Sequence, residues 1–121
     1  MGKGLCDFMK NTLLVLFCLF LLSFGFKNLK RSSIPSAIKK EIKKFAKNSS
    51  CADAHVDEMK FNKNTVYVFN NGTCGNDMTT EVRDAKGKSK GSVGGFTGNT
   101  KIDGEDFSKA VFVKTVWKKN S

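Results

Sequence analysis

The sequence predicts an α+β domain, an N-terminal amphipathic helix packed on an antiparallel four- to five-stranded sheet in β-meander order, preceded by a signal or anchor helix. Three observations carry this reading. An Ile/Phe stripe recurs at helical spacing near residue 40, a β-branched and aromatic run sits between Cys51 and Cys74, and an unbroken apolar stretch lies close to the N-terminus.

The apolar stretch comes first. Residues 12–26, TLLVLFCLFLLSFGF, follow a basic start with Lys3 and Lys10. As a helix they would span roughly 22 Å, short of the ~30 Å of a bilayer core, which suits an export signal better than a permanent span. Ser23 and Gly25 place small residues where a signal peptidase reads, so cleavage is expected after Gly25. Lys27, Lys30 and Arg31 follow the run at once and favour the alternative, an uncleaved membrane anchor. Met9 heads a second plausible start, MKN, so translation begins at Met1 or Met9. Cys18 lies inside the run behind Phe17, which is not the arrangement of a lipoprotein signal. The chain thus divides into a signal or anchor at 1–26, a basic linker at 27–33, and one small domain at 34–121.

From residue 26 onward there are 19 basic residues against 10 acidic, a net charge of +9. Residues 27–47 hold eight of the basic residues against Glu41 alone, so one segment makes the chain basic. That segment is also the predicted helix. Pro35 suits a first turn, with Ser33 as the expected cap. Ile34, Ile38, Ile42 and Phe45 fall within an arc of about 80° at 100° per residue, and Lys39, Lys40, Lys43, Lys44 and Lys47 take the other side. The plain expectation is a surface helix with solvated lysines; the sharper one, for helix 35–47, is contact with an anionic membrane surface. Nucleic acid is disfavoured, because the segment has one Arg and one Phe rather than interleaved arginines and aromatics.

The stretch from Cys51 to Cys74 reads as one long hairpin. Thr65, Val66, Tyr67, Val68 and Phe69 have strand composition, and Asn62, Lys63 and Asn64 supply the turn. With Asn62 and Lys63 as a two-residue loop, opposed residue numbers sum to 125, so Met59 faces Val66 and Cys51 faces Cys74. Cys51, Met59, Phe61, Val66, Val68 and Cys74 then share one face, the one expected to be buried. A three-residue loop would make the cysteines diagonal neighbours, and Gly72 is a site for a bulge.

After Cys74, residues 78–83 form a weak strand, Asp84-Ala85-Lys86-Gly87 a turn, residues 88–96 a returning strand, and residues 110–117, AVFVKTVW, the last strand. Trp117 is expected to cover one edge of the core. Gly91, Gly94, Gly95 and Gly98 do not form a phosphate loop: there is no G-x-G-x-x-G, and Val82 stands five residues before Gly87 where a P-loop needs glycine. Asp103-Gly104-Glu105-Asp106 lacks the alternate-position ligands of a calcium loop and reads as an exposed acidic turn.

Cys6 and Cys18 lie in the signal region, which leaves Cys51 and Cys74 as an even pair in an exported domain, hence a disulfide. A zinc site would have only Cys51, Cys74 and His55, too few for a closed structural site. A Cys-His nucleophile lacks an orienting group, and His55 is the sole histidine. No catalytic constellation, metal or cofactor is therefore assigned; only a pocket with converging Asp77, Asp84 or Asp106 would revive an enzyme reading. The acceptor patterns Asn48-Ser49-Ser50 and Asn71-Gly72-Thr73 matter only in a eukaryotic secretory pathway, whereas the signal reads as bacterial.

Ile34-Pro35, Thr65-Val66-Tyr67, Cys74 with Asp77, Asp84-Ala85-Lys86-Gly87, Gly94-Gly95-Phe96-Thr97-Gly98, Asp106-Phe107 and Val116-Trp117 occur in that order over about 85 residues. In this the chain resembles a family of small exported Gram-negative bacterial proteins classed as a domain of unknown function. The resemblance implies export and a shared fold but no activity. Members of that family tend to carry further cysteines, one near the glycine loop and often one for lipid attachment, and this chain has neither. The function expected from the sequence is a non-enzymatic envelope or secreted domain, binding or structural. The alternatives are a membrane-surface binder using the lysine face, or a small inhibitor or immunity-like partner of another envelope protein.

Overall fold

A computed structural model describes residues 33–120. The expected signal or anchor at 1–26 and nearly all of the linker lie outside the described residues. One compact unit spans Ile34–Ser121. It holds helix α1 (Ser36–Asn48), strands β1 (His55–Phe61), β2 (Asn64–Asn70), β3 (Thr79–Asp84) and β4 (Ser89–Gly94), the short pair β5 (Lys101–Ile102) and β6 (Glu105–Asp106), a 3-10 turn (Phe107–Lys109), and β7 (Val111–Lys118). No described helix is long and apolar enough to cross a membrane.

Helix α1 starts two residues later than a Ser33 cap requires. Pro35 is itself the cap residue in extended conformation, its carbonyl accepts the Lys39 N–H at 3.0 Å, and no side chain caps the helix. Proline disfavours helical backbone in the residue before it, so Ser33 stands too far upstream to serve. Ile38 and Ile42 are buried in one cluster with Val56, Tyr67 and Phe69, against which Ile34, Phe45, Val116 and Trp117 pack. Phe45 meets both Phe69 and Trp117 edge to face, at 5.4 and 5.7 Å between ring centres.

The β1–β2 hairpin has the register that a two-residue loop demands. Phe61 opposes Asn64, Met59 opposes Val66 and His55 opposes Asn70, each pair summing to 125. Asn62 and Lys63 both take positive φ, 48° and 65°, as a type I′ turn requires. Pairing stops at His55 and Asn70, so the hairpin is shorter than expected and the cysteines lie beyond it in loops. Nor is Gly72 a bulge; it turns the chain after β2 with φ of 90°.

Five antiparallel strands are ordered β4-β3-β2-β1-β7. The first four are a meander, but β7 does not continue it. Residues 95–110 carry the chain across the sheet, and β7 pairs with β1 on the far edge, with two register shifts. The crossing segment covers the second face: Ile102 is buried with Phe61, Val66, Val68 and Val82, while Met59, Val93, Phe107 and Ala110 pack around them. Only one face was expected to be buried, yet both are, and Val66, Tyr67, Val68 and Phe69 are buried consecutively in the central strand.

The β3–β4 turn closes as anticipated at Asp84 to Gly87. The Gly87 N–H donates to the Asp84 carbonyl at 3.0 Å, and the Asp84 carboxylate accepts from the Lys86 and Lys88 N–H groups at 2.9 and 3.0 Å. The Asp103-Gly104 turn joins β5 to β6, with positive φ at both residues. Two-residue strands are too short for any alternation to announce them.

Ile38→Ala should cost about 2–5 kcal/mol, as a fully buried methylene-rich side chain is lost from a closed cluster. Lys63→Gly should gain about 1 kcal/mol, because Lys63 holds a backbone conformation that glycine adopts without strain. Urea midpoints of the two variants check both signs.

Candidate functional site

Where the hairpin ends, a covalent bond takes over. Cys51 and Cys74 form a disulfide with 5.4 Å between their Cα atoms. Cys51 is buried and Cys74 exposed. A carboxylate clamps the same two loops: Asp53 accepts the Thr73 N–H at 3.0 Å and the Thr73 hydroxyl at 2.7 Å. The Thr73 hydroxyl first, and its N–H second, hold the Asp53 carboxyl below the ordinary carboxylate range. Gly72 leaves room for this clamp, since a Cβ there would stand 2.2 Å from an Asp53 oxygen and 2.6 Å from the Cys51 Cβ. The Asn70 side chain accepts the Gly72 N–H at 2.8 Å, and the Asn71 amide donates to the Thr79 carbonyl at 2.9 Å.

His55 borders this end of the sheet. Its Nδ1 donates to the Asp53 carbonyl at 2.8 Å, and its Nε2 lies 3.4 Å from Asp57, whose other oxygen accepts the Thr115 hydroxyl at 2.7 Å. The carboxylate therefore stands between hydroxyl and imidazole, an order that gives the imidazole no nucleophile to deprotonate. Both cysteine sulfurs are committed to the bridge, so His55 acts as a tie between loop and sheet.

The acidic residues have separate duties. Asp103 pairs with Lys90, Glu105 lies 3.4 Å from Lys109, and Asp106 accepts the Ser108 N–H at 2.9 Å. That bond to Ser108 holds the Asp106 carboxyl below its ordinary value. Asp77, at a positive-φ turn position, precedes β3, whereas Asp84 ends it, so these two do not converge. Among the described residues no group of three or more His, Cys, Asp or Glu is placed to hold a metal ion.

Lys39, Lys40, Lys43, Lys44 and Lys47 are all exposed along α1. Glu41, the one acid of the basic segment, pairs with Lys44 at 3.2 Å and also reaches toward β3. It lies 3.4 Å from Arg83, whose guanidinium donates to Glu81 at 3.0 Å and to the Gly87 carbonyl at 2.7 Å, and sits 5.7 Å over the Phe69 ring. Glu58 is buried on β1 with Lys114 at 3.7 Å, beside its cross-strand partner Tyr67. Burial first and the Glu58 charge second raise the Tyr67 phenol above its ordinary value. Sequence periodicity missed the Glu41–Arg83 contact because it joins residues 42 positions apart on different elements. It also missed the exposure of Phe96, Val111, Phe112 and Val113.

Replacing both Cys51 and Cys74 by Ser should cost about 3 kcal/mol by freeing a loop of this length in the unfolded chain. Asp53 stabilises the fold fully above the ordinary carboxylate value near pH 4, and that share is lost as pH falls through its lower folded value. Asp53→Asn should therefore lose less stability than the native chain on acidification below about pH 4, read from urea midpoints across that window.

Residues 40–119 match a domain of unknown function, DUF6970. No curated protein and no solved structure matches the chain. The matched span runs from within α1 to just past β7 and so takes in the disulfide, the Asp53 clamp and both faces of the sheet. On that span, the chain belongs to the DUF6970 family.

Proposed function

We propose that this chain is a non-catalytic, exported bacterial domain that works by presenting a surface, in the envelope of a Gram-negative cell or in its secreted fraction. The observation that carries the proposal is the Cys51–Cys74 bridge, whose loops are further joined by Asp53 and Thr73. Disulfides persist in oxidising compartments, and the apolar run at 12–26 behind Lys3 and Lys10 supplies a route to one. The non-catalytic part rests on how the reactive side chains are used. The cysteines are bridged, His55 ties Asp53 to Asp57, and Asp84 and Asp106 cap turns.

A second reading has its own observation. With Ile38 and Ile42 buried beneath α1, its five lysines all face outward, and an anionic membrane surface attracts such residues by about 1 kcal/mol each. Vesicles separate the two. The surface-binding reading requires binding to anionic but not neutral lipid, lost when Lys39, Lys40, Lys43, Lys44 and Lys47 are changed to Glu; unchanged binding sinks it.

Fractionation of a Gram-negative host expressing the full chain tests the leading proposal. The protein is expected in the periplasm, envelope or medium with Phe26 as its first residue. A chain held in the cytosol with its N-terminus intact would overturn export.

A further inference from the structure

Phe96 is 91% exposed at the tip of the glycine loop, which leaves a whole aromatic ring in water. The loop that holds it there is closely specified. Gly94, Gly95 and Gly98 take φ of 81°, 73° and 59°, the Gly98 N–H donates to the Gly95 carbonyl at 3.0 Å, and the Gly94 N–H donates to the Asn99 carbonyl at 2.8 Å. A Cβ at Gly95 would come within 2.6 Å of the Thr79 methyl, so the tip sits directly against β3. The same loop forms one wall of a mainly apolar groove of about 390 Å³ lined by Val93, Gly98, Thr100, Asp106, Phe107 and Ser108. An apolar knob and an apolar groove thus lie side by side on one surface.

We propose that this surface pairs with a second copy of the chain, the Phe96 ring of each copy entering the Val93–Phe107 groove of the other. A two-fold contact needs a patch that complements itself, and an adjacent knob and hole meet that need. Charge selects the same place. From residue 26 onward the chain carries +9, and α1 presents five lysines, so most approaches between copies are repulsive. Residues 89–110 are balanced, with Lys90, Lys101 and Lys109 against Asp103, Glu105 and Asp106. The other exposed apolar segment, Val111 to Val113 on the β7 edge, is a poorer contact. Two register shifts and the lysines of β7 blunt that edge against strand pairing.

Sedimentation equilibrium of the exported chain over a rising concentration series tests the proposal. The native protein should move from monomer toward dimer. Phe96→Ser should weaken association at least about a hundredfold, since each dimer loses two buried rings. Ser108→Trp, which fills the groove from an exposed position, should weaken it as well with Phe96 intact. Both variants keep the same N-terminal segment, so association through that segment is common to all three proteins. Far-UV circular dichroism matching the native spectrum qualifies each variant for comparison. A native monomer at every concentration overturns the proposal, as does a Phe96→Ser dimer of native strength. Monomeric protein that binds vesicles through Phe96 overturns it in favour of a bilayer partner.

Discussion

The central strand β2 governs the architecture because it is apolar on both sides. Tyr67 and Phe69 face the cluster that holds Ile38 and Ile42, while Val66 and Val68 face the one that holds Ile102. A sheet with one buried face needs one cover; this one needs two. Helix α1 supplies the first, and the chain after β4 supplies the second by crossing the sheet before it returns as β7. The crossover therefore follows from the burial of Val66 and Val68. A continued meander would have placed the last strand beside β4 and left that face with no segment to lie across it.

Covalent closure matters most where this packing runs out. Strand pairing ends at His55 and Asn70, and beyond them the two loops are mostly Asn, Asp, Gly, Ser and Thr, with Cys51 and Ala54 buried. The bridge, the Asp53–Thr73 clamp and Gly72 form one unit there. The carboxylate and the small turn residue let the loops approach closely enough for the sulfurs to join. The cysteines, Asp53 and His55 are used for closure. On the reading proposed above, function falls to surfaces: the lysine face of α1, and the Phe96 loop with its groove.

Local chemistry was legible in the sequence and long-range chemistry was not. Asn62 and Lys63 specified a two-residue turn, and the turn specified every pair of the hairpin down to His55. The Ile/Phe stripe of α1 was legible because helical spacing is short in sequence. By contrast, the route of β7 depends on which strand edge is open, and the β5–β6 pair is too short to show a period. Asp53 carries no local signal, since its partner Thr73 is brought near only by the completed fold. Glu41 was counted against the lysines and does pair with Lys44, but it also reaches Arg83 on β3. Phe96 was read as the end of the returning strand, but β4 stops at Gly94, and the turn built on Gly94, Gly95 and Gly98 leaves the ring exposed.

The proposed export and the bridge stand or fall together, because loss of Cys6 and Cys18 with a cleaved signal would leave a single pair to oxidise. The mass of the exported chain, taken with and without reductant, measures both. A chain that begins at Phe26, gains two hydrogens on reduction, and accepts thiol reagent at Cys51 and Cys74 only afterwards is the predicted result. A free thiol at either cysteine in exported, unreduced protein would contradict it.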